Sequence, residues 1–184
     1  MSDINTKCLE TFPGWLKSLG EDVQALHAVL QCRDEKMEVR KIAAGGINYL
    51  FKSLDLIPDG IDDIGYLDDA FIIRLAAKSA MNAEPCAIPH DVRENLSRLR
   101  EDTGLMYELL GNDLFLRLEK YSLVLSNGAA RGRTVDDILN DSTIGDAFSL
   151  ETSDFIKDYV SLGFSSDVKS LIKLKAFLDA KLPK

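Results

Sequence analysis

The chain has 184 residues, a formal charge of −8 and 46% hydrophobic residues. That length and apolar content suffice for one domain with its own core, without disulfides. A pI near 4.8 excludes the basic stripe of a nucleic-acid binder and disfavours docking on anionic lipid.

Helical periodicity dominates, and no period-2 run of β-branched residues appears. A first segment is expected near Lys7–Leu19, carrying Trp15 and broken at Pro13-Gly14. A second is expected over Glu21–Arg33, with Val23, Leu26, His27 and Leu30 on one face. A third is expected over Glu35–Leu54, with Val39, Ile42, Ala43, Ile47, Leu50 and Phe51 inward. Gly45-Gly46 within it costs about 1 kcal/mol per glycine relative to alanine, so a neighbouring helix is expected to approach there. The longest strongly apolar uncharged run is Ile42–Phe51, far below the about 20 residues of a spanning helix. The N-terminus shows no apolar signal core, and Cys8, Cys32 and Cys86 are odd in number and scattered. A cytoplasmic protein with free thiols is the expectation.

Six aspartates follow within residues 53–69: Asp55, Asp59, Asp62, Asp63, Asp68 and Asp69. No Lys or Arg lies among them, so this stretch holds most of the excess negative charge. Pro58 disfavours helix at Ile57, which sets the end of the third helix near Leu54. Asp55 and Asp59 suit caps of a turn. Asp68 and Asp69 fall in the first turn of the next helix, where the macrodipole favours negative charge. Capping accounts for those four but does not require Asp62 and Asp63. Two functional readings stand beside it. The leading one is a non-enzymatic interaction or scaffold module that presents the acidic turn to a protein partner with a basic surface. The alternative is a divalent-cation site for Mg²⁺ or Ca²⁺ built from the six carboxylates, even a metal-dependent hydrolase. The spacing is not that of an EF-hand.

The run Tyr49-Leu-Phe-Lys-Ser-Leu-Asp-Leu-Ile-Pro-Asp59, followed by Gly65-Tyr-Leu-Asp-Asp69, resembles the signature of the YkvA family (domain of unknown function 1232). Asp55, Ile57, Pro58, Asp59, Gly65, Asp68 and Asp69 carry the match, over about residues 40–82. The resemblance implies a bacterial helical-hairpin module, in some relatives beside membrane segments, with no established activity. Asp62-Asp63 depart from it, since relatives are often apolar there. Their added charge disfavours membrane burial of the turn.

Leu67–Asn82 is apolar on nearly every face except for Arg74, Lys78 and Asn82, which marks a central helix. Pro85–Pro89 breaks the pattern and divides the chain into N-terminal helices with the hairpin (1–84) and a C-terminal helical extension packed on it (85–184). Beyond it, helices are expected over Asp91–Asp102 and Gly104–Ser126, the latter stopped by Asn127-Gly128. Ala129–Arg133 reads as a polar loop and Thr134…Asp137 as a capping box. A helix around Phe148–Leu162 is expected to end at Gly163, and Ser165/Ser166 to cap the last one. A zinc site from His27, Cys32, Cys86 and His90 lacks the paired-cysteine spacing of structural zinc. No phosphate loop or nucleophile elbow occurs. The expected fold is all-α, a compact multi-helix bundle around a central helical hairpin.

Overall fold

The computed structural model describes residues 3–52, 56–58, 61, 64–161, 164 and 167–184. Helices α1 (Asp3–Gln31), α2 (Met37–Tyr49), α3 (Leu67–Asn82) and α4 (His90–Val124) form the main body. A 3₁₀ turn (Leu125–Asn127) leads into a minimal antiparallel pair, β1 (Ala129–Ala130) and β2 (Arg133–Thr134). Helices α5 (Val135–Asn140), α6 (Ser142–Asp158) and α7 (Val168–Lys181) complete the chain. The architecture is the expected all-α bundle.

Helix α3 lies at its centre. It packs on α1, α2 and, most extensively, α4. Leu67, Ala70, Phe71, Ile72, Ile73, Leu75, Ala76, Ala77 and Ala80 are all buried, as its all-round apolar sequence requires. The glycine pair in α2 marks two close approaches. A Cβ on Gly46 would stand 2.7 Å from the Ala76 Cβ of α3. A Cβ on Gly45 would stand 2.6 Å from the Leu125 backbone.

Several boundaries differ from the sequence reading. The first two expected segments are one helix, α1, with Pro13 inside it. A helical proline costs about 3 kcal/mol. Phe12, Trp15, Leu16 and Leu19 around it are all buried, and each such side chain contributes about 1.5–3 kcal/mol. Packing therefore outweighs the broken backbone bond. Helix α2 stops at Tyr49, short of the expected Leu54, because the chain tightens. Leu50, Phe51 and Lys52 donate to carbonyls three residues back. The break expected near Gly104 falls instead at Gly111, whose φ of 76° interrupts α4, while Gly104 stays helical on an exposed face. The expected loop at 129–133 is a tight hairpin turned by Arg131 and Gly132, both at positive φ. Thr134 and Asp137 form the expected capping box. Helix α6 ends at Asp158, before Gly163, and Asp167 rather than a serine caps α7. Leu54, Leu162, Gly163, Ser165 and Ser166 lie outside the described residues.

Candidate functional site

Tyr49 closes α2 and Asp68 opens α3, so the segment between them is the acidic turn. Both side chains are buried. The Tyr49 hydroxyl donates to Asp68 Oδ2 at 2.5 Å and accepts the Leu56 N–H at 2.8 Å. The same Oδ2 accepts the Ile57 N–H at 3.0 Å. Two side chains thus hold the two backbone N–H groups just before Pro58. Leu56, Ile57, Ile64 and Leu67 are buried around this knot. The far side of the turn is closed by Ile61 N–H on the Pro58 carbonyl and by Gly65 N–H on the Ile61 carbonyl. Burial, the charges of Asp68 and Asp69, and the bond to Asp68 push the Tyr49 phenol far above the ordinary tyrosine range. It remains a neutral hydroxyl, which is what this bonding pattern needs.

Asp68 and Asp69 therefore sit in the first turn of α3 as expected, but they are not exposed caps. The N-cap residue of α3, Tyr66, makes no side-chain capping bond. Asp68 instead reaches back across the turn to Ile57, where a charge-assisted bond is about twice as strong as a neutral one. Asp69 is also buried and lies near enough to influence the Tyr49 and Tyr159 phenols. Asp55, Asp59, Asp62 and Asp63 lie outside the described residues. Among the described residues, no group of three or more His, Cys, Asp or Glu is arranged to hold a metal ion.

Three polar constellations escaped the sequence reading. Arg74 is fully buried, not part of a surface stripe. Its guanidinium stacks on Trp15 at 4.0 Å, its Nε donates to Asp102 at 2.9 Å and its Nη2 lies 3.2 Å from buried Asp22. Asp22 is also met by Arg98 at 2.6 Å and Ser18 at 2.9 Å. This network ties α1, α3 and α4 together. Arginine in the middle of an otherwise apolar helix was its only sequence signal. Glu35 accepts the N–H groups of Cys86, Ala87 and Ile88, so it clamps the Pro85–Pro89 segment to the start of α2. Desolvation alone would raise its pKa, but these bonds and the Lys36 N–H hold the carboxyl at about 2. Cys86 is exposed and Cys32 half-buried; their thiols donate to Glu35 and to the Ala87 carbonyl, respectively. Arg131 and Arg133 of the hairpin both pair with Glu151 of α6.

Two concavities matter. The larger, about 620 Å³, lies between the α1–α2 junction and α5–α6. Its wall sets Arg33 and Arg40 against Asp141 and Asp146, so no single charge dominates. The smaller, about 260 Å³, borders the acidic turn and is walled by Tyr66, Phe155, Asp158, Tyr159 and Val160.

Residues 39–75 match the family model DUF1232, described as a protein of unknown function. The DUF1232 match covers α2 from Val39, the acidic turn and the first half of α3. It upholds the resemblance drawn from the Asp-Leu-Ile-Pro-Asp and Gly-Tyr-Leu-Asp-Asp runs. The Tyr49–Asp68 knot lies wholly inside the DUF1232 segment, whereas Trp15, Asp22, Asp102 and the aromatic wall at Phe155–Tyr159 lie outside it. Comparison with curated proteins and with solved structures finds no match. Among the described residues no helix is long and apolar enough to cross a membrane.

Proposed function

We propose that this protein is a non-catalytic interaction module whose acidic turn docks a protein partner with a basic surface. The observation that carries this reading is the Tyr49–Asp68–Ile57 knot. It assigns one signature carboxylate to holding the turn. The segment it holds carries four further aspartates, 55, 59, 62 and 63, with no basic residue among them. Tethering the chain at Leu56 and Ile57 lowers the entropic cost of presenting this segment to a partner. Concentrated negative charge also speeds encounter with a cationic surface.

The test is calorimetric titration with acetyl-tetralysine amide at rising NaCl, using the native protein and Asp62→Asn/Asp63→Asn. Binding that weakens with salt and in the double variant supports the reading. Binding unaffected by the double substitution overturns it.

The alternative is a divalent-cation site for Mg²⁺ or Ca²⁺. The observation in its favour is that Asp68 and Asp69 are adjacent, buried carboxylates at the base of the same turn. A hard cation recruits such oxygens.

A further inference from the structure

The recess beside the acidic turn has the composition of a cation pocket. Tyr66 and Tyr159 meet at 88° with ring centroids 5.7 Å apart, which forms an aromatic corner. Phe155 extends it, tilted 35° from Tyr159 at 5.3 Å. Phe155 is itself braced edge-on by Phe51, and the Tyr159 hydroxyl donates to the Leu16 carbonyl at 2.9 Å. The walls are therefore fixed by Leu16 of α1 and by Phe51 beyond the end of α2, rather than by one another alone.

Asp158 stands exposed at the rim, and Val160 beside it is 79% exposed. The space of about 260 Å³ is below the usual range for a drug-sized ligand or cofactor and suits a single side chain. Ring faces attract ammonium and guanidinium groups, and a carboxylate at the rim adds direct charge attraction. An apolar rim residue such as Val160 gives the alkyl stem of a long basic side chain a surface to lie along. Burial, then Tyr66, then the charge of Asp69 push the Tyr159 phenol up to about 12, so the negative potential of Asp69 reaches this wall of the pocket. Tyr66 is also part of the Gly-Tyr-Leu-Asp-Asp run, so one wall of the pocket belongs to the acidic segment itself.

We infer that the recess formed by Tyr66, Phe155, Asp158, Tyr159 and Val160 receives a lysine or arginine side chain of the basic protein partner. The inference rests on the docking reading above and adds to it a specific anchor point: the acidic turn attracts, and the aromatic corner holds one side chain. Anchors of this kind, an aromatic pocket with a charged rim, are where binding energy concentrates in an interface.

The experiment follows aromatic ¹H–¹³C signals of Tyr66, Phe155 and Tyr159 during titration with acetyl-tetralysine amide, with acetyl-tetraglutamate amide and choline as comparison probes. Saturable ring shifts are expected with tetralysine and none with tetraglutamate. Asp158→Asn, which alters an exposed carboxylate, should weaken tetralysine about two- to fivefold without changing the melting temperature. Tyr66→Leu should do the same in protein shown by circular dichroism to be folded. If tetralysine binds in an Asp62/Asp63-dependent way while the rings stay still, the pocket inference fails and the docking reading stands. If the rings shift and Asp158→Asn weakens binding while Asp62→Asn/Asp63→Asn does not, the pocket stands and the acidic-turn reading fails. Choline binding as tightly as tetralysine would assign the recess to a free quaternary cation and overturn the protein side-chain assignment. No tetralysine binding at low ionic strength would overturn both.

Discussion

Tyr49 and Asp68, nineteen residues apart in sequence, share a 2.5 Å hydrogen bond that joins the end of α2 to the start of α3. Both also hold backbone N–H groups of the turn between them, at Leu56 and Ile57. Tyr49→Phe removes the acceptor of the Leu56 N–H, and Asp68→Ala removes that of the Ile57 N–H. Each buried donor left unsatisfied costs about 1–3 kcal/mol. Because the pair acts as a unit, the double variant should lose less than the sum of the singles, with a coupling of about 0.5–3 kcal/mol. Urea denaturation of the four proteins measures this. Additive losses would show that the two side chains act independently.

The contact between Gly46 and Ala76 sets the distance between α2 and α3. Gly46→Ala puts a methyl group 2.7 Å from the Ala76 Cβ and should cost about 1–3 kcal/mol. Ala76→Gly in the same chain should restore part of that loss by removing the clashing methyl. Thermal melts of the single and double variants read the effect directly.

Glu35 gives the fold a pH limit on the acid side. Its carboxyl is held at about 2 in the folded protein, against an ordinary 4.5, so the unfolded chain binds the proton more readily. The stability it contributes is complete above about 4.5 and is lost as pH falls from there through about 2. Glu35→Gln should flatten that part of the stability–pH curve. It should also lower stability at neutral pH, since one of the carboxylate's acceptor oxygens becomes an amide. Denaturation curves between pH 2 and 7 test both effects.

His27 acts in a higher window. Burial lowers its pKa from 6.5, and its Nε2 has no hydrogen-bond partner among the described residues. The unfolded chain therefore takes up a proton that the folded one resists. Stability is full above about 6.5 and declines as pH falls below it, until the folded-state pKa is reached. His27→Leu should remove this dependence between pH 7 and 5 while the Glu35 effect below it persists. An unchanged slope in the variant would show that His27 does not titrate differently on folding.

Cation binding is tested by melting temperature in EDTA, Mg²⁺, Ca²⁺, Mn²⁺ and NaCl at equal ionic strength. The docking reading gives no difference between divalent and monovalent salt beyond screening. A saturable, cation-specific rise obeys mass action and marks a bound ion. Its disappearance in Asp59→Asn/Asp63→Asn/Asp69→Asn would place that ion at the turn and replace the docking reading with the metal one.

Local chemistry alone located the strongest features. The glycine pair in α2 announced a close approach because only a missing Cβ permits it. The Thr134/Asp137 box was legible because both partners sit within one turn of helix. Helix α3 read as central because apolar residues on all faces leave no side for water. Gly-Tyr-Leu-Asp-Asp was visible as a motif, but its chemistry was not. An aspartate in the first turn of a helix has the same local signature whether it caps that helix or reaches across a turn.

The helical class, the central hairpin and the concentration of acid at residues 53–69 follow from neighbouring residues alone, since periodicity, glycine spacing and charge are local properties. Long-range packing is what turns Asp68 inward to Tyr49 and Ile57, keeps Pro13 inside a helix and buries Arg74 between Asp22 and Asp102. The same holds for Tyr66 of the turn, which meets Tyr159 just beyond α6, some ninety residues later. Each of these pairings depends on contacts between residues distant in the chain, whose burial energies exceed local preferences of about 1–3 kcal/mol and leave no periodic trace.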